Sequence, residues 1–153
     1  MSLLKNPCFE KGKHWSEKVF LAGQNILKEG ENDPSLFLIL EGSVRVVANI
    51  NIGAEKAIHP GFADLKKHDV FGELSFIDNQ PHSTNIEAIG TCKIAIIDKQ
   101  SLIKFLNGNT DMGSLFYQSL SKLLAERLRK TNTKAFSLLA WGLNTHGIDE
   151  HLN

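Results

Sequence analysis

The 153-residue chain lacks an excess of charge of either sign, its 17 Lys and Arg balancing 17 Asp and Glu. That balance excludes a nucleic-acid binder working through whole-domain charge, though not one with a local basic patch. There is no apolar run of the ~18–20 residues a membrane span needs. Leu36-Phe37-Leu38-Ile39-Leu40 is among the longest, so no membrane partner is expected. The opening Met1-Ser2-Leu3-Leu4-Lys5 lacks the sustained apolar core of a secretory signal. Cys8 and Cys92 are the only cysteines, too few for a disulfide-stapled scaffold and spaced for no metal motif. Two reduced thiols packed in a cytoplasmic protein are expected. No Gly-x-Ser-x-Gly, His-Glu-x-x-His or P-loop pattern occurs, so nothing points to an enzyme. In the tail, His146, Asp149, Glu150 and His151 invite a metal reading, but their spacing matches no ligand motif. Neither a metal nor a cofactor is expected.

What the chain has is 42% hydrophobic residues, too many for intrinsic disorder. A chain of ~150 residues buries about 70% of its unfolded surface and makes one compact domain. Residues 1–18 mix Lys, Glu and apolar positions and read as an N-terminal helical segment. From Val19 the pattern changes to short apolar stretches punctuated by Gly, Asn, Asp and Pro. Leu36 to Leu40 is a continuous run, as expected of a strand buried on both faces. Glu41-Gly42-Ser43 and the alternating Val44-Arg45-Val46 follow, which together read as a β-hairpin. Ala57-Ile58, Val70-Phe71, Asn85 to Ala88 and Lys93 to Ile97 are further strand candidates. Short strands about 8–12 residues apart indicate a small sandwich or barrel over 19–108.

The remainder, 109–153, reads as helix and tail. Asp98 caps a first helix carrying Leu102, Ile103, Phe105 and Leu106, which Asn107-Gly108 stops. Asn109-Thr110-Asp111 opens a longer one with Met112, Leu115, Phe116, Leu120, Leu123, Leu124 and Leu128. At ~100° per residue these positions cover roughly 220° of the circumference, about twice what one contact with a β-domain uses. The surplus predicts pairing with the same helix of a second subunit, or else a tail, Ala135 to Leu143, that folds back over it. Lys122, Arg127, Arg129, Lys130 and Lys134 outweigh Glu126 on this helix and read as a solvated face.

The segment from Val70 to Ala88 carries the functional signal. It runs as strand, glycine turn, one helical turn, polar loop and new strand. Gly72 permits a close backbone approach, and the N–H groups opening the helical turn lack intrahelical acceptors and can meet an anion. Glu73 is an acceptor suited to a hydroxyl, and Ser83 and Thr84 add hydroxyl donors across the loop. The combination suits a ligand with both a phosphate and a free sugar hydroxyl.

The same stretch resembles the phosphate-binding cassette of the cyclic-nucleotide-binding domain family, the family of catabolite-activator-type regulators, kinase regulatory subunits and gated channels. The family pattern of Phe-Gly-Glu, a short loop, Pro-Arg, small residues and a strand ending in Ala aligns without a gap from Phe71 to Ala88. Gly30-Glu31, Leu40-Glu41-Gly42-Ser43-Val44 and Asp69-Val70 also match, and the likeness runs from about Val19 to Lys134. It implies a mostly β fold with flanking helices, an eight-stranded jelly-roll β-roll followed by a long C-terminal helix. It also implies a regulatory module for cAMP or cGMP, with Phe71, Gly72, Glu73, Leu74, Ser75, His82, Ser83 and Thr84 forming the cassette. Thr131 and Asn132 fall where relatives contact the base, and Trp141 is a candidate lid or a packing residue. The alternative is a member that has lost its ligand and serves in protein interaction or dimerisation. DNA-binding relatives carry a helix-turn-helix of some sixty or more residues after this helix, whereas fewer than twenty residues follow Lys134, so DNA is not an expected partner.

Two departures stand out. His82 occupies the position of the family's phosphate-binding Arg. Arg brings a permanent charge and a planar fork, whereas His brings one well-aimed N–H and titrates near neutrality. Losing a charge-assisted bond to a buried phosphate costs about 2–5 kcal/mol, roughly 30- to several-thousand-fold in affinity. His68 stands where the family usually has Gly; His tolerates positive φ better than most residues, so the turn is expected to survive.

Overall fold

The computed structural model describes residues 3–48, 50–52, 56–58 and 61–146. After a 3-10 turn at Leu3–Lys5, strands β1 to β8 follow at Trp15–Phe20, Asn25–Leu27, Leu36–Glu41, Ser43–Val47, Ile50–Ile52, Lys56–Ile58, Gly61–Lys66 and Val70–Phe71. Then come helix α1 (Glu73–Asp78), β9 (Asn85–Ala88), β10 (Cys92–Ile97), α2 (Lys99–Asn107) and α3 (Thr110–His146). Eight strands form two four-stranded antiparallel sheets in the orders β1-β10-β3-β8 and β2-β9-β4-β7, and β5 and β6 pair as a separate ribbon. This is the expected β-roll followed by a long helix.

The core draws on both sheets. Phe20, Phe37, Ile39, Phe71, Cys92 and Ile94 from one sheet meet Leu27, Val44, Ile86 and Ala88 from the other. Strand alternation sends Leu36 and Leu38 of β3 to the opposite side from Phe37 and Ile39, yet they too are buried, as a run apolar at every position requires. Phe9 is also buried and meets Phe105 of α2 edge-on at 5.0 Å between ring centroids. The carboxylate of Asp98 accepts from the Ser101 N–H at 2.8 Å and caps α2 as the sequence predicts. That bond holds the Asp98 carboxyl below its ordinary pKa.

Three expectations are corrected. Leu36–Glu41 and Ser43–Val47 are not a hairpin: β3 lies between β10 and β8, and β4 lies between β9 and β7. A strand has two hydrogen-bonding edges, both of β3 are taken, and the chain crosses to the other sheet at Gly42. There φ is +81° and an added Cβ would sit 2.7 Å from the Thr91 carbonyl oxygen. The second correction concerns 1–18: its described part holds one 3-10 turn, and β1 begins at Trp15, ahead of the expected boundary at 19. The third concerns the tail, because Ala135 to Leu143 continues α3 and does not fold back. The chain divides into two units, Met1–Gly108 and Asn109–Asn153.

Of the two thiols, Cys92 packs in the core, where burial raises its pKa. Cys8, expected to pack, is exposed. No helix of the structure is long and apolar enough to cross a membrane, and no group of three or more metal-ligating side chains occurs among the described residues. Asp149, Glu150 and His151 lie outside them.

Candidate functional site

The site begins where β8 delivers Phe71 into the core. Phe71 pairs with Phe37 across the β3–β8 ladder, and the two rings stack at 5.1 Å. Gly72 then turns the chain at φ +78°. An added Cβ would lie 2.8 Å from Phe37 Cδ2 and 3.0 Å from the Ser35 carbonyl oxygen. Glycine is thus required twice, by conformation and by space. The Gly72 carbonyl accepts from the Phe76 N–H at 3.1 Å, and α1 follows. The helix buries Glu73, Ser75 and Phe76 and exposes Leu74. It ends at Asn79, which is left-handed at φ 58° and donates its N–H to the Ser75 carbonyl.

The chain returns through Gln80-Pro81 and is clamped at His82. The His82 N–H donates to the Glu31 carbonyl at 3.0 Å, and the Gly30 N–H donates to the His82 carbonyl at 2.8 Å. The Gly30-Glu31 turn therefore fixes the backbone at the position where the family carries its cation. The imidazole turns inward and is only 7% exposed. Nδ1 lies 2.9 Å from the Ser75 hydroxyl, the ring meets Phe37 edge-on at 6.5 Å, and buried Nε2 has no hydrogen-bond partner among the described residues. Ser83 is exposed and Thr84 half-buried as the chain enters β9.

The segment thus brings Phe71, Gly72, Glu73, Leu74, Ser75, His82, Ser83 and Thr84 into one turn-helix-loop unit, with a carboxylate and hydroxyls but no charged guanidinium. Arg45 is the sole arginine before residue 109, and it is committed elsewhere. Its guanidinium donates twice to Asp64, at 2.7 and 2.9 Å, and this pairing raises the Arg45 pKa and lowers that of Asp64. His68 adopts the positive φ expected of it, 76°, and its N–H donates to the Ile39 carbonyl.

Thr131 and Asn132 are exposed and lie within α3, not at its end, since the helix continues to His146. Trp141 is 68% exposed, so packing is not its role in this chain. Lys130 pairs with Glu126 at 2.6 Å on an exposed face. Two features escaped the sequence reading: Phe37 as the surface beneath both Gly72 and His82, and the pairing of Ser75 with His82. Lys99 is a third, donating to the Asn79 side chain at 2.7 Å beside the end of α1.

Comparison with known proteins gives a consistent picture. Residues 17–109 match the cyclic nucleotide-binding domain. The chain is 30% identical over 129 residues to a cAMP-activated global transcriptional regulator of Pseudomonas aeruginosa, covering 82% of this chain and 56% of that one. It is 26% identical over 119 residues to the potassium channel KOR2 of Oryza sativa, covering 78% of this chain and 15% of that one. A cyclic nucleotide-binding domain from Methylobacillus flagellatus superposes with a TM-score of 0.68 at 26% identity, covering 76% of this chain and 64% of that one. The chain therefore spans little more than half, or far less, of these curated relatives, whose outputs differ.

Proposed function

The chain belongs to the cyclic nucleotide-binding domain family, and on that premise we propose that it is a regulatory domain that senses a cyclic nucleotide, cAMP or cGMP, through the Phe71–Thr84 cassette. The observation that carries this reading is the glycine turn, where Gly72 at φ +78° sets buried Glu73 at the start of α1 with no room for any other residue at the turn. Glu73 would accept a bond from the sugar hydroxyl, while Ser83 and Thr84 would donate to the phosphate. The homologues are regulatory proteins, and a non-enzymatic role follows the same reading.

Two further parts of the proposal concern the helix. Thr131 and Asn132 would touch the base edge, and ligand binding would shift the hinge at Asn107-Gly108 and reposition α3 at a two-fold pairing of identical helices. Leu115, Leu128, Phe136, Leu138, Leu139 and Trp141 are each at least 60% exposed in the single chain. Each would gain about 1.5–3 kcal/mol on full burial.

One observation favours a second reading. With His82 bonded to Ser75 and Arg45 held by Asp64, the cassette presents no arginine to a phosphate. A domain that has given up its ligand for protein interaction or dimerisation would look the same. Isothermal titration of the purified chain with cAMP and cGMP separates the two. Saturable one-to-one binding, weak for want of the guanidinium, supports the sensor, and no heat up to ligand concentrations on the order of 1 mM supports the interaction domain.

A further inference from the structure

His82 is neither a surface residue nor a satisfied core histidine. Its backbone is clamped on both sides by the Gly30-Glu31 turn, so the side chain is the part free to change position. Inside, the ring has one polar neighbour, the Ser75 hydroxyl, and an aromatic edge from Phe37. A neutral imidazole needs little more than this. An imidazolium carries two N–H donors, and while Ser75 can accept one, the other, at Nε2, would be buried without an acceptor. An ion with an unmet donor is strongly disfavoured in such a place. Outside, the next residues are Ser83 and Thr84, at the mouth of the cassette.

We propose that His82 is a proton-operated switch for anion binding: the neutral ring is stored against Ser75 and Phe37, and protonation releases it to supply the cation that the cassette otherwise lacks. The proposal rests on the cassette reading above and assigns its regulation. Binding then takes up one proton on His82. Other titratable groups belong to the elements that meet the ring: Glu73 and Asp78 on α1, and Lys28, Glu29 and Glu31 around the clamping turn. β3 offers Phe37 there, with its one charged residue, Glu41, at the far end. Lys28 and Glu31 are exposed and lie 3.9 Å apart, and Glu73 alone among these carboxylates is buried. The cyclic phosphodiester keeps its single negative charge between pH 5.5 and 7.5, so the ligand itself contributes no slope.

The test has two arms on the whole chain. Without ligand, imidazole NMR follows His82 from pH 7.5 to 5.5. The expected result is that ring protonation and loss of the ring's contacts to Ser75 and Phe37 occur together. A ring that protonates while keeping both contacts, or that stays neutral across the range in folded protein, overturns the switch. With cAMP as probe, affinity should rise about tenfold per pH unit on acidification wherever the free ring is neutral, the signature of one proton taken up. The slope should vanish in His82→Gln, which keeps a donor but cannot titrate. Equal slopes in the two proteins overturn the proposal. Ring release in NMR with no cAMP binding at any pH would instead retire the nucleotide reading and leave the switch standing.

Discussion

Replacing Gly42 by alanine tests whether the crossing between sheets is held by a steric requirement or by backbone conformation alone. Gly23 and Gly42 have nearly the same positive φ, 79° and 81°, so each alanine incurs the left-handed penalty of roughly 1–2 kcal/mol. Their surroundings differ. A Cβ at Gly23 meets nothing within 4 Å, whereas one at Gly42 would lie 2.7 Å from the Thr91 carbonyl oxygen, 2.8 Å from Cys92 Cβ and 2.9 Å from Cys92 Cα. Two of these are backbone atoms of the segment entering β10, which is paired on both edges and cannot yield locally. Overpacking of this kind adds about 1–3 kcal/mol. Gly23→Ala should therefore lose about 1–2 kcal/mol and Gly42→Ala roughly 2–5 kcal/mol. Urea unfolding followed by circular dichroism measures both, with the urea dependence unchanged if the native fold persists. Equal losses in the two variants would show that the contact at Gly42 relaxes freely, and the packing argument for the crossing would fail.

Two other outcomes are expected. Leu124→Glu with Leu128→Glu should give a folded monomer by sedimentation if α3 pairs with its copy; a wild-type monomer at high concentration, or an unfolded double variant, would contradict the pairing. A thiol reagent at mildly alkaline pH should modify Cys8 at once and Cys92 only on unfolding, because burial holds the Cys92 thiol above its ordinary pKa. Two fast-reacting thiols per native chain would place Cys92 outside the core.

The strands that the sequence made visible are those with dense apolar content, such as Leu36–Glu41 and Cys92–Ile97, both central in their sheet. The ones it hid are edge strands. Trp15–Phe20 leaves four of its six residues exposed, so its Ser, Glu and Lys read as helix surface, and Asn25–Leu27 and Gly61–Lys66 are short or charged for the same reason. The hairpin error has a different origin. Two apolar runs joined through a glycine specify a sharp reversal but not which edges pair, and here long-range pairing with β8, β9 and β10 decides. The cassette was legible because its residues are contiguous and its glycine is dictated locally. The direction of the His82 ring was not, because its partners, Ser75 on α1 and Phe37 on β3, come from different elements. The continuous α3 was legible at its start, from Asn109-Thr110-Asp111, but nothing in the neutral run from Ala135 to Leu143 distinguishes a helix that continues from one that turns back.

The central claim is that the cassette keeps the shape of a nucleotide site and lacks its permanent cation. Titrating His82→Arg with cAMP at pH 7.5 beside the wild type tests it most directly. Restoring a fixed, forked charge on a clamped backbone should tighten binding at least about tenfold, the equivalent of ~1.4 kcal/mol. Unchanged or absent binding in a folded His82→Arg protein would show that the site is closed for some other reason, and the claim would be wrong.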